Sequence, residues 1–370
     1  LYVAPFGTND FQQIGSGNAN VANDVLGQID PTLLANGSYI LRLQANDAGG
    51  RSNVTQQLVE IAGTNKLGNF RVSFTDLVVP VNGIDVVLAR TYDSLNSSQD
   101  SDFGFGWRMD FRDVQLQVSV NEASDFDKSF GFYTPYRIGT RVYITLPGGE
   151  RQGFTFSPAI RQLPSIFGPG LVIATPRFIP DPGVTNQLTV QGGNLLLNQF
   201  GELTVSGGLP WNPASPDYGG GFTLTTKEGI AYKIDGNTGK VNRISDPNGN
   251  QLNFSDAGVT SNSGISVTFE RDINGRIVSV VDPEDNRITY GYDVGGNLET
   301  VADRLGNTTT YGYASSPSGY LQSITDPLGR TGTRAEYGAD GRLTATLNVD
   351  GNSTSYTYDS ANSVAVRTDA

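Results

Sequence analysis

The groups available for chemistry are 37 Asp and Glu side chains and 25 Lys and Arg, with no His and no Cys in 370 residues. Without His the chain lacks the side chain that ordinarily titrates near neutrality and the commonest metal ligand. Without Cys it has no thiolate nucleophile, disulfide or cysteine metal site. Carboxylates remain. Paired Asp and Glu can hydrolyse a glycosidic bond, yet here they are scattered through turns and no pair stands out from its context. Asp246, Asn248 and Asn250 have the 1-3-5 spacing of a calcium loop, but Gln251 and Ala257 occupy the places of its Gly and its bidentate Glu. Asp93, Asn96, Asp100 and Asp102 form a second acidic loop. Turn hydrogen bonding accounts for both spacings. No catalytic residue, metal ligand or cofactor is assigned.

Aromatic spacing is the other chemical signal. Tyr290 and Tyr292, Tyr311 and Tyr313, and Tyr356 and Tyr358 each sit two apart. Residues at i and i+2 of a strand share one face, so each pair makes an aromatic stripe. Such a stripe can stack on a sugar ring, which leaves glycans as a possible partner. Packing between neighbouring units explains the same spacing, with Tyr290, Tyr292, Tyr311 and Tyr313 stacked on one another. Trp107 and Trp211 are the single aromatic anchors, with core packing as their default role.

The elements that carry these residues are strands and turns. Forty-six Gly and 18 Pro disfavour helix interiors. Net charge is −12, which repels phosphate and argues against nucleic-acid binding. No apolar run approaches the ~18 residues needed for a membrane span. Residues 1–62 read as a β module: alternation begins at Leu41, Asn46-Asp47-Ala48-Gly49-Gly50 is a turn, and Val54–Ile61 returns as a strand. The stretch "DPTLLANGSYILRLQANDAGG" resembles the late strands of immunoglobulin-like modules, which implies part of such a sandwich. Residues 63–225 read as an irregular β domain opened by a linker at 63–69. Its Pro-rich stretch, 158–182, argues against regular sheet.

Residues 226–370 repeat. Full units run over 230–250, 265–286, 287–307, 308–330 and 331–352, with lengths of 21, 22, 21, 23 and 22; a further partial unit begins at 353. Each holds two short strands and two turns. The first turn carries Asp then Gly, as at Asp293 and Gly296; the second opens with Asp246-Pro247, Asp282-Pro283 or Asp326-Pro327. Asp accepts hydrogen bonds from the turn backbone, Gly supplies positive φ and Pro presets the turn. Asp359 closes the strand of the last Tyr pair. One unit is thus a hairpin that cannot bury its face alone.

These residues carry a resemblance. "YGYDVGGNLETVADRLGN" and "YGADGRLTATLNVDGN" resemble the tyrosine–aspartate (YD) repeats of the Rhs family. "LARTYDS" followed by "FGFGW" is similar to the segment ahead of such repeats, and "FTLTTKEGIAYKIDGNTGKVNRISDPNGN" to the run-in. The family includes bacterial toxin carriers, insecticidal toxin-complex subunits and animal teneurins. The resemblance implies an all-β spiral of hairpins forming a shell around cargo or a rigid surface body. Ala314 departs from the pattern at one Asp, and Arg304 and Val349 at two turn Pro positions. The expectation is a non-catalytic, secreted or cell-surface structural segment. Adhesion and toxin carriage are the alternatives. Its expected partners are other segments of a longer chain or other copies of itself, with more repeats following Ala370.

Overall fold

Turn chemistry dictates the architecture. In seven hairpin turns Asp or Asn opens the loop and the N–H three residues on donates to its backbone C=O: Gly249 to Asp246, Gly275 to Asp272, Asp285 to Asp282, Gly296 to Asp293, Gly306 to Asp303, Gly329 to Asp326 and Gly351 to Asn348, at 2.9–3.2 Å. The fourth residue has positive φ each time; Asp285, at +65°, is the one non-glycine among these. Where position two is Pro, as at 247, 283 and 327, the ring fixes the φ that position needs. Short turns of this kind join neighbours antiparallel.

The computed structural model describes residues 1–18, 24–63, 66–162, 172–193, 195–198, 201–205, 208–359, 362 and 364–369. Among these the chain is all-β, with one short α-helix, Asp125–Ser129. Its largest element is a 16-stranded antiparallel sheet in which every strand from Gly221–Thr225 to Val364–Asp369 pairs with its sequence neighbours. The sheet reaches back beyond the repeats, because Gln187–Val190 pairs with Gly221–Thr225 and forms its first edge. The insertion between the first two units is itself a hairpin, Gln251–Ser255 with Gly258–Ser261.

Each of the five full repeat hairpins contains a bulge at one place. Register shifts occur at Lys233/Ile234, Glu270/Arg271, Gly291/Tyr292, Gly312/Tyr313 and Glu336/Tyr337. The partner strands therefore carry one extra residue just after Val241, Ile277, Leu298, Leu321 and Leu343. Side chains of all five are buried. A bulge bends its strand and increases the local twist, so a bulge in unit after unit curves the sheet progressively. Alternation does the rest: in Arg287–Tyr292, Ile288 and Tyr290 are buried while Arg287 and Thr289 are exposed.

The other elements cover the apolar face. The three-stranded sheet Arg71–Val79, Val86–Asp93 and Trp107–Met109 lies against the repeats and shares one core with them, in which Tyr92, Phe103, Trp107 and Trp211 are almost fully buried. Strands Tyr2–Pro5, Gln12–Gln13, Gly37–Asn46 and Ser52–Ile61 form a four-stranded sheet with one long hairpin; its burial does not alternate as the sequence pattern suggests, because one end of the hairpin is buried and the rest is largely exposed. It docks through Gln117, whose side chain accepts from Ser38 N–H and donates to Ser38 C=O, each at 3.0 Å. The Pro-rich stretch corrects the sequence reading. Its described residues include strands Ala159–Gln162, Val172–Thr175 and Phe178–Pro180; Pro164 and Pro169 lie outside the described residues. Pro180 is tolerated because its strand is the edge of a four-stranded sheet.

The turns give a stability test with opposite signs. Gly306 has φ +83° and open space around it, so Gly306→Ala should cost about 1–2 kcal/mol through backbone strain alone. Gly332 lies in a strand, with ordinary φ and nothing within 4 Å of an added Cβ. Gly332→Ala should stabilise by about 0.4–1 kcal/mol. Urea midpoints moving the same way for both variants would contradict the assigned backbone geometry.

Candidate functional site: the seam between lead-in segment and repeats

A bulge turns backbone groups off the ladder, and those groups need partners. The N–H of Val241 donates to Arg112 C=O (2.7 Å), Ile277 N–H to Asp102 C=O (2.8 Å), Leu321 N–H to the Tyr92 hydroxyl (2.9 Å) and Leu343 N–H to Gly68 C=O (2.9 Å). The acceptors fall at 112, 102, 92 and 68 while the donors rise from 241 to 343. The segment between Gly68 and Arg112 therefore runs antiparallel to the line of bulges and meets it at the first, second, fourth and fifth full units.

The bulge carbonyls are satisfied from the opposite direction. Tyr292 donates its hydroxyl to Ile277 C=O (2.6 Å), Tyr313 to Leu298 (2.9 Å), Tyr337 to Leu321 (2.6 Å) and Tyr358 to Leu343. Each tyrosine belongs to the unit after the bulge it serves. Burial raises all four hydroxyl pKa values, that of Tyr358 to about 12, so they remain donors at neutral pH.

The first tyrosine of two stripes, Tyr290 and Tyr311, meets the lead-in segment. Arg90, of "LARTYDS", is 2 % exposed; its Nε donates to Asp76 (2.7 Å) and its Nη2 to the Tyr311 hydroxyl (2.7 Å). The same Asp76 oxygen accepts from Tyr290 (2.9 Å). The guanidinium carbon lies 4.8 Å from the Phe74 and Trp107 ring centroids and 5.1 Å from that of Tyr311, within cation–π range. Burial works against the charge of Arg90, but Asp76 outweighs it and the pKa rises. Ring contacts go the same way: Tyr290 meets Phe103 at 4.9 Å, and Tyr311 meets Trp107 at 5.2 Å. The stripe thus packs on the lead-in aromatics instead of tyrosine on tyrosine across units, because successive strands present it to a separate aromatic layer. Trp107 Nε1 donates to Tyr313 (2.8 Å) and ties the "FGFGW" motif to the bulge series.

Gly104 of that motif is required by space. A Cβ there would come within 2.3 Å of Gly296 C=O. Next to it, buried Asp102 meets Arg271 (2.7 Å), Lys240 (3.2 Å) and Arg112 (3.6 Å). Burial pushes the Asp102 carboxyl up, but the three cations prevail and hold it below the usual range.

The remaining candidate positions are turn and strand positions. Asp246, Asp282 and Asp326 each accept two backbone N–H bonds, from residues two and four on, at 2.9 Å. Pro247, Pro283 and Pro327 occupy the second place of those turns. Asp293 accepts from Asn297 N–H and its side-chain amide, both at 2.9 Å. Asp359 is exposed and accepts from Asn362. Tyr356 and Tyr358 are half-buried, and Tyr358 lies beneath Arg342. In the acidic loop, Asp93 binds Arg71 (2.7 Å) while Asp102 is held by its three cations. Among the described residues no three His, Cys, Asp or Glu converge to hold a metal ion. Sequence reasoning did not single out Asp76 or Arg90. An Arg flanked by apolar and β-branched residues in a strand was the available signal.

Residues 272–308 match the family model described as the RHS repeat. This stretch of the chain carries an Rhs repeat. The matched stretch contains the extra residues that follow Ile277 and Leu298 and the Tyr290–Tyr292 stripe. Among solved structures, the Rhs chain is similar to TcdB2-TccC3 without its hypervariable C-terminal region (11 % identity, TM-score 0.26, 89 % of this chain and 20 % of that chain). It is likewise similar to TcdB2-TccC3 itself (12 %, 0.27, 89 % and 20 %). The Photorhabdus luminescens Tc holotoxin pore gives 11 %, 0.20, 87 % and 22 %. The Rhs chain spans about a fifth of the length of these structures. No curated protein sequence matches it.

Arg90→Met leaves Asp76 buried without its cation and should cost about 3–5 kcal/mol. Combined with Asp76→Leu, much of that loss should return. A double variant as unstable as Arg90→Met alone, by urea melts, would show that the pair is not the seam's main electrostatic constraint.

Acid should loosen the turns. The Asn250 amide foremost holds Asp246 down, and Asn307 and Arg330 do the same for Asp303 and Asp326. Burial pushes Asp282 up, but Asn286, Arg304 and the turn N–H groups bring it to about 2. A folded carboxyl held below its unfolded value stabilises above that unfolded value, and the gain disappears as pH falls through the folded one. Stability should therefore decline between about pH 4 and 2, and Asp282→Asn should flatten that decline. An unchanged acid limb in the variant would remove Asp282 from the explanation.

Proposed function

We propose that the Rhs chain is a non-catalytic wall segment: a curved sheet of hairpins whose apolar face is sealed by its own lead-in segment. The observation carrying this reading is the docking of the Gly68–Arg112 segment on four of the five bulges. That arrangement fixes the curvature of a long sheet and spends the seam's polar groups on structure. Asp76, Arg90, Asp102, Tyr290 and Tyr311 are all committed to one another or to nearby cations and rings, and this favours scaffold over catalysis. Within the reading, residues 1–62, 63–225 and 226–370 are a docking module, a lead-in domain and the wall proper.

The wall operates outside the cell that makes it, as part of a longer product or in company with other copies. Carriage of an enclosed cargo is the use that such a wall suits best, and the RHS repeat match supports it.

Electron microscopy of the natural product containing this chain should show a hollow, closed body. Incubation with polysaccharide and peptide substrates should give no turnover. An extended rod, or hydrolysis abolished by one Asp or Glu substitution, would sink the proposal.

A further inference from the structure

Arg151 is a cation without a counter-ion. Its Nε donates to Asn36 C=O, and its Nη1 donates to Gln115 C=O (2.9 Å) and the Thr145 hydroxyl (2.9 Å). All three acceptors are neutral. Its Nη2 makes no hydrogen bond among the described residues and is not sealed in by protein atoms. Other arginines of the interior are treated differently: Arg90, Arg108, Arg112 and Arg342 are buried and each meets an aspartate. Asp113 acts on Arg151 only from a distance, and burial pushes that carboxyl up. Burial brings the Arg151 guanidinium down to about 10, below the ordinary arginine range. The protein holds a positive charge there that it neither pairs nor fully hydrates.

That charge opens on a cavity. Where the N-terminal sheet meets the lead-in loop and the late turns of the repeats, the surface folds around about 830 Å3, with Arg151 in the wall. This is within the size range of small-ligand sites. Buried Val3 and Ala4, with partly buried Ile14, Leu33, Leu34 and Leu116, give the lining a large apolar share. No carboxylate of the wall answers Arg151. Asp30 and Asp340 both bind Arg342, and Asp10 is exposed.

These features select a ligand. A guanidinium with a free N–H pair favours a carboxylate, which it holds by charge-assisted hydrogen bonds. One negative charge is the limit, because a phosphate dianion would face a single cation and three aspartates in the same wall. A neutral or cationic ligand would leave Arg151 unanswered. The apolar lining calls for an apolar body behind the carboxylate.

We propose that this cavity binds a small organic monocarboxylate with an apolar body, its carboxylate on Arg151. The cavity is separate from the bulge seam, and the proposal stands independently of the wall reading.

The test is titration calorimetry of the 370-residue chain with octanoate, its neutral counterpart octanamide, and inorganic phosphate as a competitor. Saturable octanoate binding is expected, at least about tenfold tighter than octanamide, the worth of one charge-assisted hydrogen bond or more. Phosphate should not displace it. Arg151→Gln should make octanoate and octanamide equal. Gln115→Glu carries the test if Arg151→Gln does not fold. The Gln115 side chain is partly buried in the same wall and makes no hydrogen bond, while its C=O already accepts from Arg151. A carboxylate there supplies the missing counter-ion, so octanoate should bind at least about tenfold more weakly with the melting temperature unchanged or raised. Octanamide bound as tightly as octanoate by the unaltered chain, displacement by phosphate, or a folded Gln115→Glu chain that binds octanoate undiminished would each overturn the proposal.

Discussion

A bulge in a β-ladder is a small defect with a large requirement. It leaves an N–H and a C=O without ladder partners, and in a buried setting both must be satisfied. This chain places one such defect in each of its five full repeat hairpins and meets those after Ile277, Leu321 and Leu343 twice, by the lead-in segment on one side and by a tyrosine hydroxyl from the next unit on the other. The rest of the molecule follows from that requirement. The lead-in segment has to run along the bulges, its glycines have to let it approach, and its arginines and aspartates have to be buried in company.

The buried Arg90–Asp76 pair is better understood as a device for register than as a source of stability. An ion pair taken from water gains little net free energy, because desolvation offsets attraction. Its orientation is another matter. One carboxylate oxygen receives both Arg90 and Tyr290, and the guanidinium reaches Tyr311. Two consecutive repeat units are thereby referred to one point on the lead-in sheet. A slip of the lead-in strand by one residue would turn Arg90 to the other face and strand both charges.

Much of the repeat sheet was legible because its signals are local. Asp, Pro and Gly at fixed places in the turns, and Tyr two apart in the strands, act within one hairpin, and period and strand order follow from them. The direction of the tyrosine stripe was not legible, since it depends on Phe74, Phe103 and Trp107, which lie nearly 200 residues away in sequence. The bulges were hidden for a related reason: an extra residue in a strand of 21–23-residue units reads as ordinary variation in length. Strands in the Pro-rich stretch escaped because an edge strand tolerates Pro at positions that a central strand does not.

The tyrosine hydroxyl that crosses from each unit to the carbonyl of the one before has a consequence for how such a gene can change. Because donor and acceptor sit in successive units with nearly constant separation, 15 residues for Tyr292, Tyr313 and Tyr358 and 16 for Tyr337, duplicating or excising one whole period leaves every carbonyl with a tyrosine still in reach. Partial insertions do not. Unequal recombination can therefore lengthen or shorten the wall in whole-period steps without orphaning these carbonyls, and the grammar of the hydrogen bonds becomes the grammar of permissible lengths.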